Sequence, residues 1–326
     1  MAASTSSRAL ALALGLGAVV AQQLQWLGQT FDAASGNVTI WTLTGAGAPG
    51  SALGSVALPA GASIGVDLFR CMPYGSHCQF IWVDATGAAT LVNTTLDAQV
   101  VGSVALPPAD SIVSLHVDHS TDDSYFTALS GAGGAAVMRV ANDGSATTVV
   151  DLSPYLAAAG AGATIKNGGA THCSNLKTMW VAVSNASAGA ILTVDLAGGS
   201  VTKVTPLAFA GFDALWADCA EFDVKSDVPG GTVFDAANQA LRYGVVGDGG
   251  AFVPQATGKV AGGLVPNGLL TFADVFDTTY NYAAPLYPPG AKPGDAAKGA
   301  IAFFDFDGPA MTFSPVAYFL AGASLS

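Results

Sequence analysis

One eleven-residue stretch occurs twice, as GSVALPAGASI from Gly54 and as GSVALPPADSI from Gly102. A near-copy this close points to a chain assembled from small repeating units, none able to bury its apolar face alone. One strand type can be followed through the units: VTIWTL from Val38, ATLV from Ala89, AAVMRV from Ala135, GAILTV from Gly189, QALRYGVV from Gln239 and GAIAFF from Gly299. The starts recur at intervals of about fifty residues, a period suited to one supersecondary unit per repeat. Each strand is followed by a turn and a partner, as NDG before SATTVV or GDGG before AFVPQ. Asn, Asp and Gly accept the positive φ that tight hairpins require.

In the third unit, SIVSLHV from Ser111 and SYFTAL from Ser124 add two more strands. Four antiparallel strands per unit, repeated six times, predict an all-β, six-bladed β-propeller. GSVALP is then the outer strand of one blade, and the following SI opens the innermost strand of the next. The first unit, residues 22–59, has room for only three strands. The apolar tail YFLAGASL, residues 318–325, is expected to supply the missing inner strand and so close the ring without a free sheet edge. The Pro- and Gly-rich segment 280–298 reads as a surface loop, with Tyr280, Tyr282, Tyr287 and nearby Phe276 offering an aromatic surface. A seventh blade stays open if that segment hides strands.

Composition agrees with strands and tight turns. The chain carries 40 Gly, 16 Pro and 23 acidic residues, of which one alone, Glu221, is Glu. Asp favours turns and caps where Glu favours helix interiors. The net charge of −12 opposes binding to nucleic acid or to anionic lipid. Residues 1–21 have the parts of a signal peptide: Arg8, an apolar run too short to span a bilayer, and the small pair Val19 and Ala21 before the cut. The expected product is a secreted, single-domain propeller of residues 22–326, without stable membrane insertion. Sequons at Asn37, Asn93 and Asn185 fit an extracellular glycoprotein. Four cysteines can pair in an oxidising compartment. Cys71 and Cys78 flank a short hairpin, while Cys173 and Cys219 fall on the inner strands of neighbouring blades, so Cys71–Cys78 and Cys173–Cys219 are the expected bridges.

No H-E-x-x-H helix occurs, and the string GASIG at residues 61–65 belongs to the repeated strand start rather than to a strand-turn-helix nucleophile elbow. HVDH groups His116 and His119 with Asp118, but an extended strand puts His119 on the face opposite the other two. These read as polar residues at a loop end. A more orderly set comes from aligning the starts of the inner strands, where Asp110, Asp213 and Asn267 share one position in blades 3, 5 and 6. That position lies near the mouth of the central channel, and its oxygen ligands would suit Ca²⁺. In this pattern the chain resembles secreted six-bladed propellers, and is similar to the calcium-dependent lactonase and esterase propellers, whose channel metal is held by acidic and Asn residues. The resemblance implies Ca²⁺ and calcium-assisted hydrolysis. Those enzymes also use a Glu, and Glu221 sits elsewhere on its strand. The residues by themselves favour a binding module for an extracellular small molecule, glycan, protein or matrix component, with the hydrolase as the other reading.

Overall fold

A computed structural model describes residues 26–43, 49–71, 77–118, 121–173, 178–185, 188–217, 229–267, 270–271, 282–295, 298–304, 311–316 and 320–325. The signal-like segment, His119, Cys219 and the side chain of Cys173 lie outside the described residues.

The strands form six sheets, each pairing mainly with its sequence neighbours, and the molecule is a six-bladed β-propeller. Blade 2 runs outward through Ser63–Cys71, His77–Val83, Ala89–Thr95 and Val100–Ala105. Blade 3 repeats this with Ser111–Asp118, Asp123–Ser130, Gly134–Val140 and Ala146–Asp151. Blade 4 follows with Thr164–Cys173, Thr178–Ser184, Gly189–Asp195 and Ser200–Leu207. Blade 5 has a short inner strand, Ala214–Ala217, then Pro229–Asp235, Ala240–Val246 and Phe252–Lys259. In blade 6 two short pieces, Val265–Pro266 and Leu270–Thr271, pair with Tyr282–Tyr287, followed by Gly299–Phe304 and Met311–Val316.

Blade 1 contains Trp26–Asp32, Asn37–Leu43 and Pro49–Ala57, and its inner strand is the C-terminal Leu320–Leu325, paired antiparallel with Trp26–Asp32. The ring therefore closes through the tail. The surface-loop reading of segment 280–298 is corrected at Tyr282–Tyr287, which is the second strand of blade 6 with Tyr287 fully buried, while residues 288–295 are turn and loop. Phe276 and Tyr280 lie outside the described residues. Pro285 can sit in that strand because the ladder still accepts through its carbonyl, which takes the Asn267 N–H at 3.0 Å.

Blades pack face to face, so strand residues alternate between two neighbours. In blade 2, Phe80 joins the core shared with blade 1, whereas Ile81 joins the core shared with blade 3. In blade 4, Val181 faces blade 3 and Trp180 faces blade 5. This double burial is why the middle strands read as nearly unbroken apolar runs. Turns at the strand ends are fastened by Asp. Asp32 accepts from Ala34 N (2.9 Å), Asp84 from Thr86 N (2.7 Å) and Ala88 N (2.9 Å), and Asp143 from Ser145 N (2.9 Å). Such self-closing turns explain the preference for Asp over Glu, whose longer side chain cannot fold back over two residues as readily.

Candidate functional site

Two regions gather polar side chains. The first is the end of the ring where inner strands begin. Asp110 N donates to Leu129 O at 2.8 Å, Asp213 N to Thr232 O at 2.8 Å, and Asn267 N to Pro285 O at 3.0 Å. The backbone thus gives the three residues equivalent places in their blades, as the alignment expects. Their side chains part company. Asp110 is exposed, with a carboxylate oxygen 3.1 Å from where a Cβ on Gly131 would stand. Asp213 accepts from Phe234 N at 2.6 Å, and Asn267 donates to Ala291 O at 3.2 Å. Both are therefore engaged with backbone of their own blades. Among the described residues no group of three His, Cys, Asp or Glu side chains is placed to hold a metal ion.

The second region is a cleft of about 310 Å³ between blades 2 and 3, on the opposite end of the blades. Blade 2 contributes His77 and Gln79 from its second strand, Leu91, Asn93 and Thr95 from its third, and Val101 and Val104 from its outer strand. Blade 3 contributes Asp122, Ser124 and Val140 together with the turn through Asn142 and Gly144. Gln79 and Ser124 are 3% and 1% exposed, and the Ser124 hydroxyl donates to Gln79 Oε1 at 2.5 Å, bridging the two blades. At the rim, His77 Nε2 stands 3.8 Å from Asp122 Oδ1. Asp122 holds a φ of 61°, uncommon for a residue with a side chain, in the tight turn where its N–H donates to Asp118 O at 2.8 Å.

The cleft owes its existence to one position in the repeat. In blade 1, Ile40 pairs with Gly54 across the third and outer strands, and Ile40 is fully buried. The turn of blade 2 closes down on that pair so tightly that a Cβ on Gly54 would lie 2.0 Å from Asp97 O. In blade 2 the corresponding pair is Asn93 and Gly102. A Cβ on Gly102 would meet nothing nearer than Asn93 Nδ2, at 3.9 Å. The blade 3 turn leaves that space open. Asn93 Oδ1 is enclosed yet has no hydrogen-bond partner among the described residues, a cost native proteins rarely accept without reason.

The HVDH residues His116 and Asp118 stand at the end of the blade 3 inner strand, as the sequence suggests. They are 7% and 1% exposed, opposite Tyr125 and Asp123. Asp123 is held by Arg139 (Nη2 at 2.6 Å, Nε at 2.8 Å) and by Asn142 N at 3.2 Å, which fixes the turn at the cleft's edge. The Cys71–Cys78 bridge forms as expected, across the hairpin that leads into His77 and Gln79. Of the sequons, Asn37 opens a strand beside an exposed turn, while Asn185 is tied by its amide to Ala159 O (2.7 Å) and Ala188 N (2.8 Å). Asn93 stands on the cleft wall. Sequence reasoning missed Gln79, Asp122 and Ser124 as neighbours. The available signal was a polar residue inside two otherwise apolar second strands, HCQFIWV and DSYFTALS.

No family model matches the chain, and no curated protein matches it by sequence. Solved structures do match. The periplasmic gluconolactonase PpgL of Pseudomonas aeruginosa is 12% identical with a TM-score of 0.52, over 90% of this chain and 83% of that one. A protein titled a putative 6-phosphogluconolactonase, from Bacteroides uniformis, is 12% identical with a TM-score of 0.50, over 91% and 84%. Against TolB of Acinetobacter baumannii the identity is 11% and the TM-score 0.48, over 92% of this chain and 66% of that one. The chain likewise spans 66% and 62% of a Kuenenia stuttgartiensis hydrazine synthase chain and the Dos1 propeller. At such identities the likeness is one of fold, and it agrees with the architecture seen here: a six-bladed β-propeller.

Proposed function

We propose that the protein is a secreted binding module that holds an extracellular ligand, a carbohydrate, a protein or a matrix component, at the cleft between blades 2 and 3. One observation carries this reading: where blade 1 seals the same position with Ile40, blade 2 places Asn93 in the lining of a cleft, its Oδ1 enclosed and without a partner among the described residues. A polar residue that breaks the local packing rule without structural return is the signature of a site kept for use. The signal-like segment, the sequons at Asn37 and Asn185 and the Cys71–Cys78 bridge support an oxidising, extracellular setting. Screening the purified protein on immobilised glycans and matrix proteins should find saturable binding. Absence of binding to every class would overturn the reading.

The second reading is calcium-assisted hydrolysis of a lactone or ester at the other end of the ring. It is favoured by the equivalent backbone places of Asp110, Asp213 and Asn267 and by the fold shared with proteins titled lactonases. There the metal would polarise a carbonyl and acidify bound water. The Asp213 and Asn267 side chains are each engaged with backbone, which leaves only part of each available as a ligand. Calcium should raise the melting temperature if the site forms, since it would bind the folded ring alone. A melting temperature indifferent to calcium and to chelator, with no turnover of gluconolactone, would remove this reading and leave the binding module intact.

A further inference from the structure

We infer that the cleft between blades 2 and 3 takes an uncharged, hydroxyl-rich ligand the size of a single sugar ring; the inference rests on the binding-module reading and names its ligand chemistry. Size comes first, because about 310 Å³ is at the small end of ligand pockets. Charge comes next. Among the described residues the lining contains no Lys or Arg, and the chain's net charge is −12, so an anion finds neither a partner there nor a favourable field. The one carboxylate among the described lining residues, Asp122, already faces His77, and a lone carboxylate cannot enclose a divalent cation.

Hydrogen-bond polarity then narrows the class. Asn93 Oδ1 is enclosed without a donor, while the Ser124 proton is spent on Gln79. The wall formed by blade 2 carries Asn93 and Thr95, which suit a ligand that brings donors as well as acceptors. Hydroxyl groups do so, and they also accept from an amide N–H such as that of Asn93. Leu91, Val104 and Val140 supply an aliphatic surface for the C–H face of such a ring. Among the described residues no Phe, Tyr or Trp lines the cleft, so hydrogen bonds rather than stacking would set the orientation. A glycan attached to Asn93 would stand in the same space, so the free cleft needs an unmodified Asn93.

The test uses the chain made in an oxidising compartment of a host that does not N-glycosylate. Glucose, galactose, mannose and N-acetylglucosamine are titrated by saturation-transfer NMR and calorimetry, with glucuronate and glucosamine as charged counterparts. At least one uncharged sugar should bind saturably, with glucuronate at least tenfold weaker. Asn93→Ile, which copies blade 1, should weaken binding at least tenfold, and Asn142→Trp, on the exposed rim, should do the same without touching the core. Val253→Trp, on the outer strand of blade 5, should change nothing. Sugar binding that survives both cleft variants would move the ligand elsewhere and overturn the assignment while the binding module stands. Preference for glucuronate or glucosamine, or a protein partner with no sugar bound, would do so as well. Silence here and in the wider screen would end both readings.

Discussion

The junction of blades 1 and 2 and the junction of blades 2 and 3 start from the same words, GSVALP, and end differently. At the first, Gly54 is so closely covered by Asp97 that no side chain could replace its hydrogen, and Ile40 fills the space beside it. At the second, Gly102 looks across an open gap, and the residue beside it is Asn93. Both glycines belong to one motif, yet only the first is required by packing. A repeat copies backbone placement; what the neighbouring blade does with that placement decides whether the result is a seal or a site. The same lesson appears at the other end of the ring, where Asp110 and Asp213 share a register but only Asp213 is bonded to a strand N–H.

The largest effect should come from the two glycines. Gly54→Ala forces a Cβ against a backbone carbonyl and should destabilise by roughly 1–3 kcal/mol, at the upper end of the range for overpacking a filled site. Gly102→Ala should stay within about 0.5 kcal/mol, as expected for a position with room. Chemical denaturation of the two variants side by side measures this; equal losses would mean that the second junction is as closed as the first. Next, Ser124→Ala leaves Gln79 Oε1 enclosed without its donor and should cost about 1–3 kcal/mol. A neutral outcome would show that water replaces the bridge.

Asn93→Ile makes the second junction resemble the first. It removes an enclosed, unpartnered oxygen and should raise stability by about 1 kcal/mol, with a higher melting temperature. Lower stability would show that the blade 3 turn cannot accept the sealed arrangement. The smallest effect is in acid. Hydrogen bonds from the Ser35 hydroxyl to Asp32, the Thr86 hydroxyl to Asp84 and the Ser145 hydroxyl to Asp143 hold these exposed carboxyls below their ordinary value of 3.8. A depressed folded value means that the stabilisation is complete above the unfolded value and fades as pH falls through the folded one. Stability should therefore be flat above about pH 4 and decline below it. Asp84→Asn should soften that decline without affecting the cleft, and acid titration of the melting temperature would reveal the contrary.

The strand order was legible because period, turn chemistry and alternation all point the same way. Ser63 and Ser111 open inner strands where the repeat places them, and the tail closes blade 1. Tyr282–Tyr287 was hidden by its own composition: Pro285 and the following Pro-Pro-Gly look like a loop, and only the partner strands 265–266 and 299–304 make the ladder evident. The cleft was out of reach for a different reason. Gln79 and Ser124 are neighbours only because successive blades stack, and nothing local in either strand names the other. Asn93 drew notice as a sequon, which says how a residue might be modified and nothing about which wall it stands on.

Closure through Leu320–Leu325 also has a meaning in time. Trp26 pairs with Leu325, so this strand of blade 1 waits for a strand made after the other five blades before its inner edge is covered. A chain growing from its N-terminus can stack blade upon blade, each from local hairpins, but it must carry an open strand edge throughout. Contacts of such long sequence separation form slowly, since loop-closure entropy is met before any pairing rewards it. An open edge is also a template for another chain. Release from synthesis short of residue 320 would leave five finished blades and one unpaired edge, a species prone to join its neighbours rather than to fold alone.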